Sequence, residues 1–211
     1  MRGGEVSVAI INYGVGNLLS ISTSLRKAGA KPKIIENIKD AESFDAMVFP
    51  GVGAFKPAIK KLMECEDRVL RFLTGKPVLG ICLGMQLLYE RSEEGCLPGS
   101  YVRGFGIFKG SVKRLPASVK VPQMGWNTIR ILKHDCPLVA GVPDGVYVYY
   151  ANSYASSPSE ETAAVTEYGV KFSAIAWREN VFGTQFHPEK SGRWGLTILR
   201  NFIDYVRGWR R

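Results

Sequence analysis

Residues 77–86 read Pro77-Val78-Leu79-Gly80-Ile81-Cys82-Leu83-Gly84-Met85-Gln86. An apolar run meets a cysteine between two glycines, and a segment of helical character follows. A buried strand that turns directly into a helix is the building unit of a parallel sheet with crossover helices. In Gly80-x-Cys82-x-Gly84 the cysteine falls on that turn, as in the Gly-x-Ser-x-Gly elbow with sulfur in place of oxygen. A sharp turn lifts the side chain out of the carboxyl edge of the sheet, where open α/β sheets bind ligands. Glycines on both sides leave room for neighbouring strands and accept unusual dihedrals. A helix starting there sets partial positive charge near the sulfur, and the Leu83 amide can face the oxygen of a reacting carbonyl. The plainer reading of the same residues is a buried, inert cysteine at the end of a core strand.

Outward from this stretch, the first half alternates strand-like and helix-like segments. Residues 6–12 form a near-continuous apolar run, as expected for a strand covered on both faces. Asn17 is placed to cap a following helix with Leu18, Ile21 and Leu25 on one stripe and Gly29 near its end. Residues 33–36 and 46–49 read as further strands, the latter closed by Pro50-Gly51. A helix is expected over about 56–73, a fourth strand over 77–81 and another helix from 83 to 90. Beyond Gly95 the rhythm changes. Segments 105–109, 111–115, 147–151, 163–168, 172–177 and 181–185 look like strands, with turns at Gly169 and Glu179-Asn180. Residues 194–206 carry Leu196, Leu199, Ile203 and Val206 at helical spacing and read as a closing helix. The pattern predicts one α/β domain over residues 1–211: an open sheet, parallel at its centre, more antiparallel in its C-terminal half.

The second informative stretch is Gln185-Phe186-His187-Pro188-Glu189-Lys190-Ser191. In an extended segment, residues two apart project from one face, and Pro188 restricts the backbone between them. Glu189 would then hold one imidazole nitrogen of His187 and leave the other facing Cys82 in the right tautomer. The chain has only one other histidine, His134, in a polar Lys-His-Asp turn. Pro50-Gly51-Val52-Gly53-Ala54-Phe55 ends another predicted strand on the same sheet edge, so an amide of Val52 or Gly53 is a second oxyanion donor. Gly14-Val15-Gly16 lacks the third glycine of a dinucleotide fingerprint, since Leu19 stands there, which excludes NAD binding by that motif.

With 45% apolar and 22% charged residues, the 211-residue chain has the composition of a globular protein. Its apolar runs are too short for a membrane span, and Met1-Arg2-Gly3-Gly4-Glu5 lacks the apolar stretch of a signal peptide. A cytoplasmic location is expected. Cys65, Cys82, Cys96 and Cys136 are dispersed, without a Cys-x-x-Cys pair, so neither a metal site nor a disulfide framework is expected. The net charge of +9 is scattered, densest at residues 109–120 and at Arg207, Arg210 and Arg211. No basic stripe with interleaved aromatics suggests nucleic acid; a solvated surface or an acidic protein partner accounts for the charge.

Gly80-Ile81-Cys82-Leu83-Gly84-Met85-Gln86 together with Phe186-His187-Pro188-Glu189 resembles the class I (triad) glutamine amidotransferases. Asn12-Tyr13-Gly14-Val15-Gly16-Asn17-Leu18, Pro50-Gly51-Val52-Gly53-Ala54-Phe55 and Met124-Gly125-Trp126-Asn127 extend the resemblance over nearly the whole chain. They narrow it to the glutaminase subunits that feed ammonia to a cyclase. The resemblance implies a flavodoxin-like open sheet with helices on both faces. It implies that Cys82, His187 and Glu189 hydrolyse L-glutamine through a glutamyl thioester, with no cofactor. Val52, Gly53 and Leu83 would form the oxyanion hole; Gln86, Glu94, Ser153 and Tyr154 would bind glutamine. The implied partner is a separate (β/α)8-barrel subunit, forming a heterodimer that makes imidazole glycerol phosphate and an aminoimidazole carboxamide ribotide in histidine biosynthesis. Asn17, Trp126, Tyr149 and Lys190 would lie near the ammonia passage into it. Two positions depart from the family pattern, Gln123 and Asn152, where histidines are usual. The competing readings are a glutaminase subunit for anthranilate, aminodeoxychorismate or GMP synthesis, a stand-alone cysteine hydrolase, and an inert scaffold subunit.

Overall fold

The computed structural model describes residues 5–14 and 17–209. The expectations for residues 1–4, for Val15 and Gly16 of the glycine turn, and for Arg210 and Arg211 lie outside the described residues. In chain order, β1 (Val6–Ile11), α1 (Leu18–Lys27), β2 (Ala30–Ile35), β3 (Ala46–Phe49), α2 (Phe55–Met63) and α3 (Glu66–Gly75) lead to β4 (Val78–Ile81) and α4 (Leu83–Leu87). There follow β5 (Tyr89–Ser92), β6 (Val102–Arg103), β7 (Phe108–Arg114), β8 (Gln123–Thr128), β9 (Arg130–Ile131), β10 (Tyr147–Asn152) and β11 (Tyr154–Ser156). The chain closes with β12 (Thr162–Glu167), β13 (Lys171–Arg178), β14 (Val181–Thr184) and α5 (Gly192–Trp209).

An eight-stranded sheet in the order β2-β1-β3-β4-β14-β13-β12-β9 forms the centre. β2 through β14 in that order are parallel, and β13, β12 and β9 run antiparallel to their neighbours. The mixed sheet expected from the change of rhythm is therefore present. Strands β1, β3 and β4 are almost wholly buried, which is why they read as unbroken apolar runs rather than alternating ones. Apolar side chains of α1 and α5 pack in one core and those of α2 and α3 in another, so helices cover both faces. A four-stranded sheet, β11-β7-β5-β6, and a ribbon, β10-β8, stand apart from the main sheet.

The register of β4 against β14 positions the site. Ile81 pairs with Thr184, and the Cys82 amide donates to the Thr184 carbonyl at 2.7 Å. Two segments far apart in sequence thus leave the same sheet edge side by side, one carrying Cys82 and the other His187.

The structure corrects several sequence expectations. The single helix over 56–73 is two helices, broken at Glu64 and Cys65, where Cys65 leaves helical dihedrals at φ −129° and ψ 33°. The helix expected to reach residue 90 ends at Leu87, and the chain enters β5. Its last carbonyls are taken by the facing loop instead: Phe105 N donates to Leu87 O, and Ile107 N and Phe108 N donate to Leu88 O, at 2.8–3.0 Å. Those bonds satisfy the helix end that would otherwise continue. The two strands expected at 105–109 and 111–115 are one strand, β7, with Phe105 in the preceding loop. Gly110, at φ +110°, sits where the register against β5 shifts, so the glycine makes a bulge rather than a turn.

Candidate active site

Cys82 occupies the turn between β4 and α4 with φ +49° and ψ −105°, a left-handed backbone that non-glycine residues rarely adopt. Its glycine neighbours are there for space. A Cβ on Gly80 would lie 2.6 Å from Gly84 backbone atoms, and one on Gly84 would lie 2.1 Å from the Phe49 carbonyl oxygen. Gly51, from the neighbouring strand end, approaches as closely: its Cβ would fall 2.0 Å from Ile81 O and 2.8 Å from Cys82 Cβ. The elbow and the Pro50-Gly51 turn therefore touch through backbone, which brings Gly53 and Leu83 to the cavity beside the sulfur. α4 is five residues long, so the dipole expected at the cysteine is that of barely more than one turn.

His187 Nδ1 lies 2.8 Å from Glu189 Oε1, with side chains 1% and 6% exposed. The expected contact exists, but by another route than a flat strand. Pro188–Lys190 forms a short 3-10 turn that curls Glu189 back against the ring. The turn is braced: His187 N donates to Tyr149 O at 2.9 Å, and the Ser191 hydroxyl donates to His187 O at 2.7 Å while accepting from Tyr149 N at 2.9 Å. Gly195 lets α5 seat on the same turn, since a Cβ there would lie 2.0 Å from Pro188 O. Nε2 of His187 is buried and has no hydrogen-bond partner among the described residues. Burial alone would lower the imidazole pKa. The charge of Cys82, contact with its sulfur and the Glu189 carboxylate outweigh that and raise it to about 10.

A cavity of about 200 Å³ opens beside the sulfur, lined by Gly51, Gly53, Cys82, Leu83, Gln86, Glu94, Arg114, Ala151, Asn152, Ser153 and Tyr154. All four residues expected to bind substrate, Gln86, Glu94, Ser153 and Tyr154, line it. Glu94 Oε2 accepts from Phe55 N at 3.1 Å, and burial raises the pKa of its carboxyl against that bond. Of the expected oxyanion residues, Gly53 and Leu83 face this cavity. Val52 instead lines a small gap on the other side of the elbow, with Asn17, Pro50, His187 and Glu189. Trp126, Tyr149 and Lys190 come together on the surface: the two rings meet edge to face at 5.9 Å, and Lys190 Nζ lies 5.7 Å from the Tyr149 ring centre. Asn17 caps α1 by accepting from Ser20 N at 3.2 Å and borders the gap beside the histidine.

Three further residues around the site carried no expected role. Gln185 Nε2 donates to Cys82 Sγ at 3.5 Å. Tyr13, wholly buried, donates to the Pro50 carbonyl, and burial first and the Cys82 charge second hold its pKa well above the usual phenol value. Arg114 stands at the cavity mouth, its guanidinium 6.0 Å from the Tyr154 ring centre. Gln185 was visible as the residue opening the histidine motif and Tyr13 within the 12–18 stretch that carries the resemblance; Arg114 gave no signal outside the fold.

The fold and the site together define a class: an open α/β sheet that carries a cysteine elbow, a histidine–glutamate pair and a polar cavity at one edge. The chain belongs to the glutamine amidotransferase class-I family, whose model matches residues 9–205. It is 44% identical over 205 residues to imidazole glycerol phosphate synthase subunit HisH of Caldanaerobacter subterraneus subsp. tengcongensis, covering 95% of this chain and 98% of that protein. It is 48% identical over 202 residues to the same-named subunit of Methanosarcina mazei, covering 93% and 98%. Among solved structures, a putative GMP synthase subunit from Thermoplasma acidophilum superposes with a TM-score of 0.75 at 20% identity, over 98% of this chain and 96% of that one. PurLQS from Thermotoga maritima superposes at 0.73 and 17% identity, over 96% and 100%. These two share the fold.

Proposed function

We propose that the chain is the glutaminase subunit of an imidazole glycerol phosphate synthase. It hydrolyses L-glutamine to glutamate and ammonia and passes the ammonia to a (β/α)8-barrel cyclase subunit, HisF, in a heterodimer serving histidine biosynthesis. Residues 1–211 act as one amidotransferase domain, in the cytoplasm; no helix among the described residues is long and apolar enough to cross a membrane. The single observation that carries the reading is the buried 2.8 Å His187–Glu189 pair beside Cys82 on its strained turn, with the cysteine opening on a cavity of amino-acid size.

His187 holds the proton of Cys82 as an imidazolium, and the thiolate Sγ attacks the side-chain amide carbon of glutamine. The amide oxygen becomes an oxyanion facing the Leu83 amide and the Val52-Gly53 turn, where fixed N–H dipoles stabilise it. His187 protonates the departing nitrogen, ammonia leaves, and water then cleaves the thioester with the same imidazole as base. Glu189 fixes the tautomer and stabilises the imidazolium. Gln86, Glu94, Ser153 and Tyr154 hold the amino-acid end of the substrate. Ammonia set free in water would mostly become ammonium, which is no nucleophile, so delivery across a closed interface keeps it reactive. Asn17, Trp126, Tyr149 and Lys190 border that passage. The mechanism needs neither cofactor nor metal.

The decisive experiment measures glutamine hydrolysis with and without the cyclase and its nucleotide ligand, then repeats it with Cys82→Ala. The cyclase should stimulate hydrolysis, and Cys82→Ala should abolish glutamine-dependent synthesis while sparing synthesis from added ammonia. Loss of both activities, or stimulation by an anthranilate or GMP synthase partner instead, refutes the reading.

A further inference from the structure

The sulfur of Cys82 has a hydrogen-bond donor that the triad does not supply. Gln185 is 1% exposed, and its amide orientation is determined by its neighbours. Gln86 Nε2 spends its two protons on Tyr154 O at 2.9 Å and on Gln185 Oε1 at 3.1 Å. Gln185 must therefore accept with its oxygen, which turns its Nε2 toward Cys82 Sγ, 3.5 Å away. A carboxamide in this setting cannot act as an acid or base; it can only donate to sulfur, and most strongly when the sulfur is anionic. Gln86 and Tyr154 line the substrate cavity, so the relay runs from that cavity to the nucleophile.

We propose that Gln185 is a catalytic residue that stabilises the sulfur as leaving group when the glutamyl thioester is hydrolysed. The inference rests on the cysteine mechanism above and deepens it. In the second half-reaction water adds to the thioester carbonyl carbon and gives one proton to His187. The tetrahedral adduct then collapses: the carbon–sulfur bond breaks and its electron pair stays on Sγ. The products are glutamic acid, which loses its proton to solvent, and a thiolate beside an imidazolium. The Gln185 N–H gains strength in that collapse because negative charge returns to its acceptor. In the first half-reaction the same bond is weakened as sulfur gives its charge away. The donor thus favours breakdown of the thioester over its formation.

The test is steady-state glutamine hydrolysis and intact-mass analysis of acid-quenched enzyme, in the complex with the cyclase, for wild type, Gln185→Glu and Gln185→Met. Gln185→Glu is isosteric and still accepts from Gln86, and as a carboxylate it replaces the donor by a charge that opposes the leaving sulfur; Gln185→Met removes the donor without adding charge. For both variants kcat should fall about tenfold, on the scale of a hydrogen bond to a charged group, and KM should fall with it. kcat/KM should stay within about twofold, and a glutamyl adduct should accumulate on Cys82. A fall in kcat/KM as large as that in kcat, with no adduct in either variant, makes Gln185 a packing residue and overturns the inference. Failure of wild type itself to turn over, or turnover by Cys82→Ala, overturns the cysteine mechanism instead, so the two failures are distinguishable.

Discussion

At the scale of single residues, Cys82 combines a strained backbone with an imidazole held beside its sulfur. Its left-handed φ costs about 1–3 kcal/mol that glycine would not incur. Cys82→Gly should therefore unfold at higher urea than Cys82→Ala, by about 1 kcal/mol after glycine's extra unfolded-state entropy; equal midpoints would mean the turn is relaxed. The histidine has a pH signature. Its folded pKa, about 10, lies above the ordinary value of 6.5. Protonation therefore contributes stability in full below pH 6.5, and that contribution is lost as pH rises through 10. Imidazole NMR should show His187 as imidazolium at about pH 8.5, between those two values. In Cys82→Ser the loss of the sulfur charge should move its titration to lower pH; an unmoved midpoint would deny the coupling. Glu189→Gln should reduce glutamine hydrolysis by about 10²–10⁴-fold with ammonia-dependent synthesis intact, read by paired assays in the complex. Cys82, His187 and Glu189 were legible because their spacing is chemical. The contacts of Tyr13 and Arg114 were not, because they exist only once distant strands meet.

At the scale of elements, glycine positions separate what gives way from what does not. Gly84→Ala drives a Cβ onto the Phe49 carbonyl oxygen at 2.1 Å, a contact between backbone segments of the core. Gly183→Ala meets Met85 Cγ at 2.5 Å, a side chain with free rotors. Gly84→Ala should cost about 3 kcal/mol, and Gly183→Ala clearly less, in chemical denaturation; equal losses would contradict the packing. Strands β1, β3 and β4 were legible because both faces are covered. The break between α2 and α3 was not: Phe55, Ala58, Ile59, Leu62, Val69, Phe72 and Leu73 keep helical spacing across it, and no proline or glycine marks it. β8 was missed for the opposite reason. Its buried end is the polar Gln123, while Met124 and Trp126 are 69% and 56% exposed, an inverted pattern that reads as loop.

At the scale of the whole molecule, that inversion lies on the surface proposed for the partner. Met124, Trp126 and Tyr147 stand exposed on the β8–β10 ribbon, more apolar area than a scattered surface residue explains. Trp126→Ala should raise the Kd for the cyclase by about 10–100-fold with an unchanged melting temperature; isothermal calorimetry showing native affinity would remove the ribbon from the interface. The ribbon is also fastened to the catalytic turn, for one hydroxyl, that of Ser191, bridges the Tyr149 amide and the His187 carbonyl. The proposed docking strand and the imidazole ring are in effect two ends of a single short strut. A cyclase seated on the outer end would bear on the inner one through those two hydrogen bonds.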